Sequence, residues 1–216
     1  MKKLSIINEN IFDGIGRRSK GDVVRKEDYI EKVDLGLPSG TIWAAWNLGA
    51  SSPEECGDYY AWGETEIKNN YSWYTYKFGI KDKLTKYNKK DGKNILDPED
   101  DVAHVVLGGK WHIPTNEQIK ELFDNTTNEE SEFNVVKGRL FTSKTNGNTL
   151  FFPYSGYKSG PSYDEIDYSA HYWSSSLHDN LTNYSMILYS DKFDNSRLDG
   201  GYRCFGFCVR GVLDKK

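Results

Sequence analysis

The chain has 216 residues and a formal net charge of −4, long enough for one domain plus an extension and for a core that needs no disulfide support. So mild a charge excludes a global basic field for nucleic acid. Fifteen Tyr, ten Phe and six Trp stand against two Met, with 20 Gly, a balance that points to short strands and long shaped loops rather than a helical bundle.

The first stretch, MKKLSIINENIFDGIGRRSKGD, begins with two lysines but has no apolar run of signal-peptide length, because Asn8, Glu9 and Asn10 interrupt it. It offers no lipid-attachment cysteine and no span for a bilayer. The expectation is synthesis in the cytoplasm without membrane insertion, virion association being the way out of the cell. Residues 1–30 read as a charged arm, with a hairpin near RRSKGDVVRKED, either a solvated linker or a handle for docking, particle attachment or homo-oligomerisation. The domain proper is expected over 31–216.

From Val33, VDLGLPSGTIWAAWNLGA reads as strand, turn, strand, since Pro38 fixes φ and Gly40 relieves the turn. NNYSWYTYKFG follows with Tyr71, Trp73 and Tyr76, either a sugar-stacking platform or, as such rings more often are, the cover of a small core under a long loop. LDPEDDVAHVVLGG predicts a first helix. Asp97 is its expected N-cap, Pro98 its first residue, Glu99, Asp100 and Asp101 lie at the positive dipole end, and Gly108-Gly109 terminate it. Capping accounts for the acidic run without calcium. IPTNEQIKELFDN predicts a second helix, with a Thr115–Gln118 capping box and Ile119, Leu122 and Phe123 on one apolar face. Two short strands around KGRLFTSKTNGNTLFFPYSGY are joined by a turn at Asn146-Gly147.

Three cysteines, Cys56, Cys204 and Cys208, cannot complete a disulfide framework. Cys204 and Cys208 sit in a strand-like stretch, where four residues span roughly 13 Å, beyond disulfide reach. They are expected as free thiols, without enough neighbouring ligands for a metal. The histidines His104, His112, His171 and His178 fall in separate elements. No Ser-His-Asp order, phosphate loop or zinc spacing accompanies them, so no catalytic residue, cofactor or metal is assigned.

The closing segment, HYWSSSLHDNLTNYSMILYSDKFDNSRLDGGYRCFGFCVRG, combines fixed ends with a mixed middle. In YSMILY, alternation predicts Tyr184, Met186 and Leu188 inward and Ser185, Ile187 and Tyr189 outward. The candidate contact surface, about 177–207, comprises His178, Asn180, Ser185, Ile187, Tyr189, Lys192, Asp194, Arg197, Leu198, Asp199, Tyr202 and Phe205. Tyrosine offers contact area with few rotors and a polar handle, and lone exposed aliphatics are explained if a partner covers them. Asp179, Asp191, Asp194 and Asp199 balance Lys192, Arg197, Arg203 and Arg210, against a nucleic-acid site. Tyr172-Trp173 and Val209-Arg210 are read as scaffold.

Taken in order, VDLGLPSGTIWAAWNLGA, GDYYAWGE, LDPEDDVAHVVLGGKWHIPTNEQIKELFD, NGNTLFFPYSGY, YWSSS and GFCVRG resemble the Fibrobacter succinogenes major paralogous domain family over residues 31 to 213. The resemblance implies an α+β, C-type-lectin-like fold with two helices, short antiparallel strands and long loops, related in core to the formylglycine-generating enzymes. Some members are similar to the variable proteins of diversity-generating retroelements in bacteria and their phages. There the C-terminal segment is the diversified binding surface, and the frame ends in Tyr-x-Gly-x-Ser-Val-Arg; here the frame is Cys204-Phe205-Gly206-Phe207-Cys208-Val209-Arg210. Calcium-using lectins carry a Glu-Pro-Asn or Gln-Pro-Asp loop and a Trp-Asn-Asp strand, whereas Trp173 is followed by Ser174 and Ser175. The implied function is metal-independent adhesion to a cell-surface protein or glycan, as in a phage receptor-binding component. The alternatives are a bacterial accessory carbohydrate- or protein-binding domain and a degenerate relative of the formylglycine-generating enzymes, with Cys204 and Cys208 standing for their cysteine pair. Fold alone does not decide among these.

Overall fold

A computed structural model describes residues 30–193 and 195–215; the expected arm, apart from Ile30, lies outside the described residues. Strands β1 (Lys32–Asp34) and β2 (Ile42–Ala44) are followed by β3 (Tyr59–Tyr60) and a small hairpin, β4 (Gly79–Ile80) and β5 (Lys83–Leu84). A 3-10 turn at Pro98–Asp100 leads into α1 (Val102–Leu107), β6 (Trp111–His112) and α2 (Asn116–Asn125). Next come β7 (Thr126–Phe133), β8 (Val136–Ser143), β9 (Thr149–Pro153), β10 (Ser155–Ser159) and β11 (Ser162–Ile166). The chain closes with β12 (Ser169–Leu177), β13 (Tyr184–Asp191), β14 (Ser196–Tyr202), β15 (Phe207–Cys208) and β16 (Val212–Leu213). The described residues are thus mostly β-sheet with two α-helices, an α+β arrangement. No described helix is long and apolar enough to cross a membrane.

The turn expected at Pro38–Gly40 forms, with Gly40 N–H donating to the Leu37 carbonyl at 2.8 Å, and it pairs β1 with β2 antiparallel. β16 then inserts beside β2, giving the order β1-β2-β16-β6. The largest sheet runs β11-β10-β12-β13-β14, with β15 parallel to β12 and antiparallel to β3. β7, β8 and β9 form a third, antiparallel sheet, its β8–β9 loop turning at Asn146-Gly147 as predicted.

Local signals explain most of these elements. The α2 capping box is present: Thr115 Oγ1 accepts from Gln118 N–H, and Gln118 Oε1 accepts from Thr115 N–H. Ile119 and Leu122 are fully buried and Phe123 packs partly against them, the predicted apolar face. α1 departs from expectation. Its N-cap is Asp101, whose Oδ1 accepts from His104 N–H at 3.1 Å, while Asp97 makes no capping bond. Lys86 and Lys93 hold the Asp97 carboxylate at 2.6 and 2.5 Å, so that oxygen is not left for backbone donors.

Two guanidinium groups are interred. Arg210 Nε donates to Asn47 Oδ1 at 2.8 Å, and its other nitrogens reach the carbonyls of Ala44, Ala45 and Phe151, over the Phe152 ring at 4.7 Å. Burial draws its pKa down to about 10. Arg203 donates to Tyr76 Oη and to the carbonyls of Tyr87, Thr182 and Lys86, over Trp62 at 4.7 Å. Neither faces a carboxylate in these bonds; carbonyl dipoles and ring faces replace the lost water. Arg203, one of the closing segment's balancing charges, and Arg210, read as scaffold, are both buried and pin that segment to the core. Asp191, counted with them, is also buried.

Candidate functional site

The expected surface centres on β13 and its partner β14. Register places Ser185, Ile187 and Tyr189 opposite Gly201, Asp199 and Arg197, so these six residues share one sheet face. The other face carries Leu188 and Ser190 and is met by Arg139 of β8, whose Nε donates to Ser190 Oγ at 2.9 Å. Leu188 is buried there as expected, but Tyr184 and Met186, expected inward with it, keep part of their surface in solvent.

On the Tyr189 face, alternation alone misjudges two residues. Ile187 and Ser185 are buried, at 2% and 0% exposure. The cause is Phe207, from β15. Its ring lies 4.3 Å from Trp173 and passes over Gly201, where an added Cβ would sit 2.2 Å from Phe207 Cε2 and 3.4 Å from Ile187 Cγ2. Phe207 thus roofs Ile187, and Ser185 Oγ is spent on the Ser176 carbonyl at 2.7 Å. Neither residue is available to a ligand. Leu198 is also corrected: half-buried, it pairs with Leu188 on the opposite face from Tyr189.

Above Phe207 lies a second aromatic layer. Tyr157 (β10) and Phe205 lie 5.6 Å apart within 17° of parallel, and both touch the Phe207 ring, at 5.8 and 6.4 Å. Contacts continue from Tyr157 through His171 (4.9 Å) to Tyr189 (5.1 Å) in one direction. In the other they run from Phe205 to Tyr202 (5.3 Å), then to Trp73 (6.1 Å) and Tyr184 (4.3 Å), with His178 beyond at 6.2 Å. Every ring in this ribbon except His171 keeps part of its surface in solvent. Arg197 lies over Tyr189 at 4.3 Å and is itself held by Asp199 Oδ2 at 2.7 and 3.0 Å. Lys81 lies over Tyr202 at 5.3 Å. Such ring pairs contribute about 0.5–1.5 kcal/mol each beyond the area they bury, so the exposed rings are held in place before any contact.

Ring contacts therefore link Tyr189, Phe205, Tyr202 and His178, with Arg197 and Asp199 beside Tyr189; Tyr189, Arg197 and Asp199 share one sheet face, whereas Tyr202, paired with Tyr184, and His178 lie on the Leu188 face and meet the others around Phe205. The structure leaves others aside. Lys192 lies over the Tyr168 and Phe193 rings, at 4.4 and 5.4 Å. Asn180 is exposed in the β12–β13 loop, its N–H donating to His178 Nδ1 at 3.1 Å. Asp194 lies outside the described residues. Ribbon members absent from the sequence-based set are Tyr157, Trp73, Tyr184, Lys81 and His171, all but Tyr184 brought in from other elements. Of the suggested platform in the 71–76 region, Tyr71 and Tyr76 are core, with Tyr76 Oη donating to the Trp62 carbonyl at 2.7 Å. Trp73 alone reaches the surface ribbon.

His171 marks the polar floor of the ribbon. Ser169 Oγ donates to Glu165 Oε2 at 2.5 Å. That hydroxyl's one proton being used, His171 Nε2–H donates to Ser169 Oγ at 2.9 Å and to Glu165 Oε2 at 3.1 Å. The imidazole bond comes first among the causes holding the Glu165 carboxyl below the usual range. Serine and carboxylate both engage the same ring nitrogen, so His171 cannot relay a proton from one to the other as a catalytic base does. Burial, then Asp191, raises the Tyr189 phenol, whose hydroxyl donates to Asp191 Oδ2 at 3.1 Å.

The thiols are unpaired. Cys204 belongs to a turn between β14 and β15, not to the continuous strand expected from its neighbours. Burial pushes its thiol up to about 12, and that of Cys208 higher still; a thiol so disposed is a poor nucleophile. Asp97, Glu99 and Asp100 gather carboxylate oxygens within 4.8 Å of one another. Lys86 reaches all three and Lys77 reaches Asp100 at 2.7 Å, so the lysines already supply the cationic charge.

No protein-family model, curated protein or solved structure matches the chain.

Proposed function

We propose that this protein is a metal-independent binding protein that holds a cell-surface protein or glycan on the aromatic ribbon of its closing sheet. One observation carries the reading: contacting rings run from Tyr189 over the buried His171 to the part-exposed Tyr157, Phe205 and Tyr202, and Tyr157 and Phe205 among them lie against the buried Phe207 ring. Rings already seated lose little freedom on contact, and aromatics flanked by charges of both signs are the usual anchors of recognition surfaces. A C-type-lectin-like fold of the retroelement-variable type, and with it a place in a phage particle, is the assignment the six sequence motifs support. A bacterial accessory domain would use the same ribbon. The non-catalytic reading is supported by the raised thiols of Cys204 and Cys208 and by the shared nitrogen of the Ser169–His171–Glu165 cluster.

The test is adhesion of the purified protein to a panel of bacterial cells, with and without EDTA, comparing wild type with a Tyr157→Ala/Tyr202→Ala double variant. Adhesion unaffected by EDTA and abolished in the double variant is expected. Adhesion that survives loss of both rings, or that requires a divalent cation, refutes the proposal.

A further inference from the structure

We infer that Cys56 and Cys208 are a redox-active pair, two thiols that a small-molecule disulfide converts into one bond fastening the loop before β3 to the closing sheet. The inference is independent of the binding reading above.

Strand register brings the pair together. β15 runs antiparallel to β3 with Cys208 directly opposite Tyr59, so these two side chains share a face. Cys56 lies in the loop that leads into β3, and Cys208 Sγ is 3.2 Å from the Cys56 carbonyl oxygen, although 152 positions separate the two in sequence. Peptide geometry then puts the Cys56 Cα within about 6 Å of that sulfur. The loop is held at this place. Asn47 Nδ2 donates to the same Cys56 carbonyl at 2.9 Å, and Asp58 N–H donates to the Leu48 carbonyl at 2.9 Å. At Gly57, between them, φ is +68° and an added Cβ would lie 2.3 Å from the Leu48 oxygen.

The surroundings couple these two thiols and leave Cys204 apart. Burial raises both, and the same Tyr59 hydroxyl acts in the opposite sense on each, so both sulfurs face one oxygen. Cys56 is itself among the groups that act on Cys208. The charged groups acting on Cys204 are instead Lys68 and Glu64. Access is unequal: Cys56 is half-buried, whereas Cys208 is 0% exposed. An oxidant therefore meets Cys56 first.

Oxidised glutathione supplies the balance. The Cys56 thiolate attacks one of its sulfurs, breaks its S–S bond and releases one glutathione thiolate, leaving a mixed disulfide. Cys208 then attacks the Cys56 sulfur and releases the second glutathione. Two electrons pass from the cysteines to the oxidant, and the two thiol protons end on the two glutathiones. The bond joins distant parts of the chain, the case in which a cross-link restricts the unfolded state most.

The experiment incubates the folded full chain with excess oxidised glutathione and maps non-reduced peptides by mass spectrometry, for wild type, Cys56→Ser, Cys204→Ser and Cys208→Ser. A Cys56–Cys208 peptide lighter by two hydrogens is expected in wild type and Cys204→Ser. Cys208→Ser should stop at glutathione on Cys56, and Cys56→Ser should take up none. The melting temperature should rise by roughly 5–15 °C on oxidation and return with dithiothreitol. If Cys208→Ser does not fold, the wild-type and Cys204→Ser maps decide. A lasting glutathione adduct on wild-type Cys56, a bond to Cys204, or a link formed only in urea overturns the inference. So does a bond that lowers the melting temperature, since the folded thiols would then meet only under strain.

Discussion

Replacing Gly201 by alanine puts a methyl group where Phe207 already is. The added Cβ would lie 2.2 Å from Phe207 Cε2 and 2.8 Å from its Cζ, so the ring must withdraw by about an ångström to reach ordinary contact. It has nowhere free to go: Trp173 lies 4.3 Å from it, His171 5.2 Å, and Tyr157 and Phe205 cover it. Overpacking of this kind costs about 1–3 kcal/mol. Because the obstacle is a buried ring between other rings, the upper part of that range, about 2–3 kcal/mol, is expected. At about 2–4 °C per kcal/mol for a chain of this size, the melting temperature falls by roughly 5–10 °C. Gly200→Ala is the control. Its Cβ meets His178 Cδ2 at 3.0 Å and Tyr184 Cδ1 at 3.4 Å. Tyr184 at that distance is in ordinary contact, and only the part-exposed His178 ring must give by a few tenths of an ångström, so the loss should stay under about 1 kcal/mol. Calorimetric scans of the two single variants, with Gly201→Ala/Phe207→Leu as a third arm, make the comparison. The smaller leucine should restore part of the loss, a favourable coupling between neighbours. Equal melting of the two glycine variants, or no coupling, would remove Phe207 from its place as the roof of Ile187 and with it the two-layer account of the site.

Arg210→Met should destabilise by about 3–5 kcal/mol in urea unfolding, since Asn47 Oδ1 and the Ala45 and Phe151 carbonyls lose their donors inside the core; Arg210→Lys should recover little, because one ammonium cannot span that set. At Asp100, burial opposes ionisation, but hydrogen bonds from Lys77, Lys86 and Tyr87 outweigh it and hold the carboxyl below its usual value. A depressed folded-state pKa means stability present above the unfolded value near pH 4 and lost as pH falls through the lower folded value. Asp100→Asn should therefore cost about 2–3 kcal/mol at pH 7 and flatten the acid limb of the stability profile; an unchanged limb would mean the lysine contacts contribute nothing. Millimolar calcium should leave the melting temperature of the wild type within about 1 °C, because the lysines already neutralise Asp97, Glu99 and Asp100. A thiol reagent should label half-buried Cys56 first, and Cys204 and Cys208 only on unfolding.

What the sequence discloses here is what short-range chemistry decides. The Thr115–Gln118 box, the Pro38–Gly40 turn and the Asn146-Gly147 turn each lie within a few residues of the element they define, and each forms as read. β7 is different. TTNEESEF is polar and exposed along most of its length, so it has no apolar alternation to announce it. It exists because β8 pairs with it through the turn at Asn134 and Val135, both at positive φ. Asp97 fails as a cap for a similar reason: its competitors, Lys86 and Lys93, are invisible in a local capping motif. The candidate surface divides along the same line. Strand alternation places Ser185, Ile187 and Tyr189 on a common face, but Ile187 is roofed by Phe207, about twenty residues further on, and Ser185 is turned to the Ser176 carbonyl. Tyr157 comes from a strand thirty residues upstream, and no spacing rule links it to Tyr189.

The segment 202–207 shows how one stretch can serve both scaffold and surface. Tyr202 and Phe205 are half-exposed, while Arg203, Cys204 and Phe207 are buried. Each exposed ring is therefore one residue from an anchor: Arg203 is tied by four hydrogen bonds to Tyr76, Tyr87, Thr182 and Lys86. At Gly206 an added Cβ would come within 2.8 Å of the Tyr71 ring, so the backbone is pressed against the core there. A tyrosine fixed in this way has two side-chain torsions left to order. Its neighbours on the ribbon, Trp73 and Tyr184, already restrict both. Side chains that are exposed yet immobile separate the energy of holding a partner from the energy of folding: Tyr202→Ala removes a contact face without removing an anchor, whereas Arg203→Ala removes the anchor. The first change should reduce binding with a small fall in melting temperature. The second should unfold the closing sheet, and a variant at Arg203 that melts like the wild type while losing adhesion would assign the buried guanidinium a role that its bonds do not support.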